Sequence, residues 1–162
     1  MVDALLAAVK RAYPAISHRY YALKAGWLEL DVMDYWDRNA PLPDADRDRV
    51  SWDQARATVL GAYEGFAPEM RQIAEQFFTS PWIDASPRPG KDAGAFSHST
   101  VPSVHPYILM NYHGKARDVM TLAHELGHGV HQVLAAPQGH FLSDTPLTLA
   151  ETASVFGEML TF

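Results

Sequence analysis

The chain of 162 residues contains no cysteine, and this absence restricts its chemistry. Disulfide bonds, thiolate metal ligands and cysteine nucleophiles are all excluded. Any metal site must therefore be built from imidazole and carboxylate groups, for which the sequence supplies 8 His and 19 Asp plus Glu. A chain without disulfides is compatible with the cytosol, and we expect a cytoplasmic location.

The sequence is also short of positive charge and of long apolar runs. Its 13 Lys plus Arg stand against 19 acids, which gives a net charge of −6. The basic footprint that nucleic acids and anionic membranes require is therefore missing. No apolar run approaches the ~18 to 20 residues that span a bilayer, and Met1-Val2-Asp3 lacks the basic flank of a secretory signal. We expect neither a nucleic acid nor a membrane as partner.

Apolar residues make up 48% of the chain and charged residues 20%, which is typical of globular proteins. The apolar spacing predicts a mainly helical chain with a few short strands. Helices are predicted over residues 3–12, 15–25 and 52–64, from Pro68, over 116–135, and from about 146 to 162. Loops are predicted over the charged residues 44–50 and the proline-rich residues 80–94, and extended runs over 95–100 and 106–112. We predict one partial domain, with a helical segment over 1–90 and short strands plus a helix pair over 91–162.

Residues 124–128 read His-Glu-Leu-Gly-His, the H-E-x-x-H pattern. Helical residues four positions apart are rotated by ~400°, so His124 and His128 project from one face and can bind one ion. Glu125 is rotated by ~100° from His124, so it can reach a water beside the ion without being a ligand. Apolar residues recur on another face of this helix: Val119, Leu122, Leu126 and Val133. The pattern predicts a helix that packs on one side and carries a zinc site on the other.

A catalytic zinc ion commonly has three protein ligands and one open position. His131 shares the face of His128 but lies ~10.5 Å along the helix from His124, whereas two nitrogens on one zinc ion are only ~4 Å apart. Glu151 is the favoured third ligand, because a loop of about ten residues can bring the next helix back antiparallel. A carboxylate on this apolar helix also needs a partner when buried. Asp144 is a weaker candidate, because it is predicted as a helix cap. One Zn²⁺ per chain is expected.

Two further residues are predicted to surround the ligands. Glu158 shares the helix face of Glu151 and is predicted to orient a histidine ligand. His131 is predicted to support the ligands from outside or to make a structural hydrogen bond.

Around these residues the sequence resembles the oligoendopeptidase F family, of the same superfamily as thimet oligopeptidase. The resemblance is carried by residues 121–132, Thr-Leu-Ala-His-Glu-Leu-Gly-His-Gly-Val-His-Gln, and by Glu151-Thr152-Ala153-Ser154. The stretch from His105-Pro106-Tyr107 to Asn111-Tyr112 adds to it and, less specifically, so does Asp34-Tyr35-Trp36-Asp37. The likeness is strong over residues 90–162 and weaker over the rest of the chain.

The resemblance implies a mainly α, zincin-like catalytic segment with a small β-hairpin or short strands before the zinc-binding helix. It also implies a zinc-dependent endopeptidase that hydrolyses short peptides. In this chain His124, His128 and Glu151 correspond to the zinc ligands of the family, and Glu125 corresponds to its catalytic base.

The residues that bind substrate and stabilise the oxyanion are less well marked. His105 and Tyr107 are candidates for substrate contacts and, with Tyr112 and His113, for the oxyanion donor. Packing of a small sheet is the simpler interpretation of these residues. The extended run that starts near Gly94 could bind a peptide along its edge through main-chain hydrogen bonds with little sequence preference.

Enzymes of this family are several times longer than 162 residues. Their C-terminal segment supplies Tyr and His groups that hold substrate and stabilise the oxyanion, and no counterpart is found in this sequence. The expectation is a fragment that carries the metal half of an active site, lacks the N- and C-terminal parts of its parent, and is inactive in isolation.

Two other interpretations stay open from the sequence. In one, the chain is a non-catalytic helical module in which zinc only joins two helices. In the other, it is a metal-free helical domain with a chance motif.

Overall fold

The computed structural model describes residues 1–42 and 49–162. The chain divides into two compact units, Met1–Arg47 and Asp48–Phe162. The predicted loop over 44–50 lies mostly outside the described residues. The predicted segments 1–90 and 91–162 of one partial domain stay a prediction. In the part of the chain that is described, no helix is both long and apolar enough to cross a membrane.

The first unit contains one long helix, α1 (Val2–Trp27), and a 3-10 turn over Tyr35–Asn39. The predicted helix end at Pro14 is wrong, because α1 runs through this proline. The proline removes one backbone donor, but the surrounding turns are exposed, so water can bond the carbonyl that loses its partner. Lys24 is buried and its Nζ donates to the carbonyl oxygen of Arg38 at 2.8 Å, which joins the turn to α1.

The second unit contains four helices: α2 (Trp52–Phe66), α3 (Pro68–Thr79), α4 (Ala116–Ala135) and α5 (Leu147–Thr161). Ser51 caps α2 as predicted, because its Oγ accepts from the amide of Gln54 at 3.2 Å. Pro68 is the first residue of α3, where its missing amide costs no helical hydrogen bond. The bounds of α4 are those predicted.

The start of α5 differs from the prediction. Pro146 is the residue that precedes the helix, and no side chain caps it. Asp144 is therefore not the cap; its Oδ1 accepts from the neighbouring amide of Thr145 at 3.0 Å. The carboxylate of Asp144, three positions before the first residue of α5, bonds the main chain of the turn instead.

Three short strands precede α4: β1 (Ile83–Asp84), β2 (Phe96–His98) and β3 (Tyr107–Leu109). Their order in the sheet is β1-β3-β2, with β1 parallel and β2 antiparallel to β3. The predicted mainly α fold is confirmed, and the short strands precede α4. β1 was not predicted, because two residues inside a proline-rich stretch are too few to show an alternating pattern.

A buried lysine makes several hydrogen bonds at the loop between β1 and β2. The side chain of Lys91 is only 1% exposed. Its Nζ donates to the carbonyl oxygens of Met110, Asp84 and Ser86 at 2.6, 2.8 and 3.2 Å and lies 3.0 Å from Oδ1 of Asp84. Arg88 and this lysine stabilise the ionised carboxylate of Asp84 and hold its pKa far below the ordinary value.

The core of the second unit is formed by α2, α3, β3 and α4. Its largest fully buried apolar side chains are Val59, Tyr63, Phe77, Ile108, Met110, Leu122 and Leu126. Where α5 crosses α4, a Cβ on Gly127 would lie 2.7 Å from the carbonyl oxygen of Ala153, and one on Gly157 would lie 2.4 Å from the hydroxyl of Tyr63. Only glycine permits this close approach of the two helices.

Candidate metal centre

Helix α4 supplies two imidazoles from one face. Val119, Leu122, Leu126 and Val130 are buried on the opposite side, which fixes the rotation of the helix about its axis. The rings of His124 and His128 lie one turn apart with their centroids separated by 4.9 Å. Both side chains are largely covered, at 24% and 13% exposure.

Helix α5 brings a carboxylate to this pair. Oε2 of Glu151 lies 3.4 Å from Nε2 of His124 and 3.7 Å from Nε2 of His128. One ligand atom from each of the three residues lies within 4.8 Å of the other two. Two imidazole nitrogens and one carboxylate oxygen are the donor set of many catalytic zinc sites, so these residues fit that ion.

Two hydrogen bonds on α5 stabilise this arrangement. The hydroxyl of Ser154, which is fully buried, lies 3.0 Å from Oε2 of Glu151 and donates toward this carboxylate. Nδ1 of His124 donates to the carboxylate of Glu158. This bond leaves Nε2 of the imidazole facing Glu151. The orienting role of Glu158 toward a metal ligand stays a prediction.

Glu125 lies beside the three residues but faces a different environment. It is 5% exposed, and within the described chain its Oε2 has no hydrogen-bond partner. Burial raises the pKa of this carboxyl to about 7, with Glu151 and Glu158 adding to the rise and His124 opposing it. A carboxyl with this pKa can both accept and release a proton near neutral pH.

The imidazole of His128 is also affected by its surroundings. Burial lowers the pKa of His128, and the neighbouring rings of His124 and His131 lower it further, while Glu151 opposes them. The neutral ring is therefore favoured, and neutral imidazole is the form that binds a metal ion.

A cleft of about 520 Å³ opens beside this centre. His124, Glu125 and Glu158 line one end of it. The remaining lining residues are Gly94, Ala95, Asn111, His113, Arg117, Asp118, Met120 and Thr121. The cleft therefore lies between the start of β2 and the N-terminal half of α4.

The other predicted site residues lie outside this cluster. His131 is half-buried, and among the described residues no hydrogen bond joins it to a ligand. His105 stacks on Trp82, with 4.0 Å between ring centroids, and its Nδ1 donates to the carbonyl oxygen of Pro106 at 3.0 Å. Neither His105 nor Tyr107 lines the cleft, so their substrate contacts stay a prediction.

The two remaining oxyanion candidates are separated by the structure. The hydroxyl of Tyr112 donates to the carbonyl oxygen of Val50 at 2.8 Å and is engaged in packing. His113 is exposed and lines the cleft. Both assignments as oxyanion donors stay predictions.

Sequence reasoning missed several residues around the centre. Arg117 and Thr121 precede His124 by seven and three positions on the same helix face, so helical spacing could have identified them. Gln132, one turn after His128, exchanges two hydrogen bonds with Ser97 of β2. No local pattern indicates this pair, because it depends on how strand and helix pack.

The chain can be compared with known proteins at this point. The oligopeptidase PepF of Bacillus subtilis is 31% identical over 159 residues, which cover 98% of this chain and 23% of that protein. The chromosomal oligoendopeptidase F of Lactococcus lactis is 29% identical over 157 residues, 96% of this chain and 26% of the relative. The chain thus spans about a quarter of the length of these relatives.

Solved structures and family models agree with these relatives. A peptidase of Chlamydophila abortus matches the fold with a TM-score of 0.75 and 28% identity, over 98% of this chain and 26% of that one. The model of peptidase family M3 matches residues 1–162. The predicted relationship to oligoendopeptidase F is confirmed, and the chain belongs to peptidase family M3.

Proposed function

We propose that this chain carries the zinc site and the catalytic base of an oligopeptidase, a zinc-dependent endopeptidase that hydrolyses short peptides. The observation that carries the proposal is the convergence of His124, His128 and Glu151 beside the buried carboxyl of Glu125. The names of the relatives, oligopeptidase and oligoendopeptidase, support the substrate class. Because the chain spans about a quarter of these relatives, we assign hydrolysis to a protein of their length.

Three side chains are assigned to the metal ion. His124, His128 and Glu151 would hold Zn²⁺, and one coordination position would stay open for substrate or water. When bound, the ion supplies a Lewis acid that stabilises negative charge on the scissile carbonyl oxygen. Glu158 holds the ring of His124, and Ser154 holds the carboxylate of Glu151, so both ligands are oriented before the ion arrives.

Glu125 is the proposed general base. Its Oε2 is buried and makes no hydrogen bond to any described group, so no protein donor competes with the attacking water for this oxygen. Its pKa of about 7 lets the same carboxyl pass the proton to the leaving amine. The proposal assigns no residue of this chain as the second oxyanion donor beside zinc.

The free edge of β2 is the proposed peptide-binding element. β2 is a terminal strand of the sheet, so one side of its main chain is not used by β3. Gly94 and Ala95, at its start, line the cleft next to His124. An extended peptide bound along this edge would be recognised through its backbone, which suits a peptidase with broad sequence preference.

Metal analysis of the purified chain tests the first half of the proposal. We expect one Zn²⁺ per chain by mass spectrometry under native conditions, and a weakening of zinc affinity by about a hundredfold in Glu151→Ala, because one of three ligands is lost. Glu69→Ala, which removes an exposed carboxylate from the first turn of α3, is the matched control. A purified chain that binds no zinc would favour a metal-free helical domain.

Glu125→Gln tests the second half. In any longer protein that contains this chain, we expect peptide hydrolysis to fall by about 10² to 10⁴, because general-base catalysis is lost. Zinc content should stay at the wild-type level. A Glu125→Gln protein that keeps both zinc and full function would instead support a non-catalytic module in which zinc joins two helices.

A further inference from the structure

The orientation of the β2 backbone follows from the hydrogen bonds of its neighbour. The amides of Ile108 and Met110 donate to the carbonyl oxygens of Trp82 and Asp84, so they point toward β1. Successive residues of a strand point to opposite sides, so Tyr107 and Leu109 direct their main-chain groups toward β2.

The register then defines the free edge of β2. Phe96 opposes Leu109 and His98 opposes Tyr107, so Phe96 and His98 form the hydrogen-bonded pairs with β3. Ser97, between them, directs its own amide and carbonyl away from β3. The main chain of Ser97 therefore belongs to the edge that we propose as the peptide-binding element.

At Ser97 this edge is already occupied by a side chain of α4. Nε2 of Gln132 donates to the carbonyl oxygen of Ser97 at 3.2 Å. In return, the hydroxyl of Ser97 donates to Oε1 of Gln132 at 2.8 Å. The carboxamide of Gln132 thus takes the acceptor that the next backbone amide of a bound peptide would use.

Two positions before Ser97 the edge is open. Gly94 and Ala95 line the cleft, and Gln132 does not. The open and the occupied parts of the edge are therefore adjacent, and Gln132 lies four residues after His128 on α4, at the end of the site.

We propose that Gln132 is a specificity-determining residue that closes the peptide-binding edge at Ser97 and limits the length of bound peptide on one side of the scissile bond. This inference rests on the proposed function. In this arrangement the peptide site ends at Gln132. The carboxamide of Gln132 binds the carbonyl oxygen of Ser97, which the backbone amide of a longer peptide would otherwise bind.

Peptide binding to a zinc-loaded protein of the relatives' length that contains this chain tests the inference. The probes are blocked peptides of two to eight residues in which the central bond is a non-hydrolysable isostere, and affinity is measured by calorimetry. In the wild type we expect affinity to stop rising beyond a short length. In Gln132→Ala we expect the rise to continue for one or two residues, to about tenfold tighter binding, because the carbonyl oxygen of Ser97 becomes available to a peptide amide.

Two further variants test whether Gln132 limits peptide length or only joins β2 to α4. Gln132→Leu keeps the bulk of the side chain but not its hydrogen bonds, so we expect the wild-type length limit. Gln72→Ala, which removes an exposed glutamine from α3, should leave the length dependence unchanged. If Gln132→Ala and Gln132→Leu weaken binding equally at all lengths, Gln132 only links strand and helix, and the inference is overturned.

The failure of the proposed function has a different signature. If no variant binds any peptide while zinc is still bound, the peptide-binding edge itself is wrong, and the role of Gln132 is overturned with it. If zinc is not bound either, the metal centre is wrong.

Discussion

The two helices that build the candidate metal centre differ in how firmly the rest of the chain holds them. Of the 20 residues of α4, eight are buried, and the helix packs between α2, α3, the sheet and α5. Of the 15 residues of α5, only Ser154 and Gly157 are buried, and Phe156 and Met159 are exposed. Packing therefore fixes His124 and His128 far more tightly than Glu151.

This difference indicates how the site would respond to a metal ion. The imidazoles are set in place by the core, whereas the side chain of Glu151 is 44% exposed and is oriented by a hydrogen bond from Ser154. A helix with few buried apolar contacts opens at a lower free energy than one inside the core. A bound ion would therefore contribute most of its stabilisation to α5.

Removal of zinc should produce the largest difference between α4 and α5. At a free zinc concentration a thousand times the dissociation constant, the ion should stabilise the folded chain by about 4 kcal/mol, and chelation should remove this. We expect amide exchange to accelerate throughout α5 after chelation and to change much less in α4. Ca²⁺, which prefers oxygen ligands, is the control ion. Equal acceleration in both helices would contradict the proposed difference between them.

The pH dependence of the unfolding free energy should report the titration of the buried carboxyl of Glu125. In the metal-free chain, Glu125 has a pKa of about 7, whereas in the unfolded chain it has the ordinary value of 4.5. Between these values the folded state keeps a proton that the unfolded state has lost, so stability falls as pH rises through this window and levels off above pH 7.

Glu125→Gln isolates that contribution. The difference in unfolding free energy between wild type and Glu125→Gln should change by about 2 to 3 kcal/mol from pH 4 to pH 8, in favour of the variant at high pH. Both proteins keep His128, whose lowered pKa acts in the opposite direction, so the difference removes its effect to first order. A pH-independent difference, measured by urea denaturation, would show that Glu125 titrates normally.

The contact between the two helices should be sensitive to a single methyl group. A Cβ on Gly157 would meet the hydroxyl of Tyr63 at 2.4 Å and the carbonyl oxygen of Ala123 at 2.7 Å. We expect Gly157→Ala to destabilise the chain by about 1 to 3 kcal/mol and to weaken zinc binding, because α5 must move away from α4.

Gly61→Ala is the matched control for this substitution. It lies in α2, and a Cβ there would have no neighbour within 4 Å. Because alanine favours helix, this variant should be as stable as the wild type or more stable by up to about 1 kcal/mol. If both variants behave alike in thermal denaturation, the close approach at Gly157 is not a determinant of the α4–α5 contact.

The sequence predicted best those elements whose signals are local. The bounds of α4 follow from its apolar periodicity, and the start of α2 follows from Ser51. The predicted helix end at Pro14 fails because a proline removes one amide and crowds the preceding turn, which can bend a helix without ending it. In exposed turns water can bond the freed carbonyl. β1 was missed because its two residues are strand only through pairing with β3.

The same limit applies to the centre. H-E-x-x-H fixes His124 and His128 on one helix face, and the unusual carboxylate on an apolar helix indicated Glu151. The depth of Glu125 and the pairing of Ser97 with Gln132 depend on contacts between distant segments. Sequence spacing carries no information on which side of a strand faces a helix 35 residues later.

The enclosed ammonium group of Lys91 has a consequence for the wall of the cleft. Three prolines lie in or next to the β1–β2 connection, at positions 81, 87 and 89, and each lacks an amide that could fasten the main chain. Instead, Nζ of Lys91 donates hydrogen bonds to the carbonyl oxygens of Asp84, Ser86 and Met110. The carboxamide of Asn111 continues this on the far side of the loop, because its Nδ2 donates to the carbonyl oxygens of Asp92 and Gly94 at 2.9 and 3.4 Å. Two side chains, Lys91 and Asn111, therefore fasten this wall of the cleft to the residues around β3.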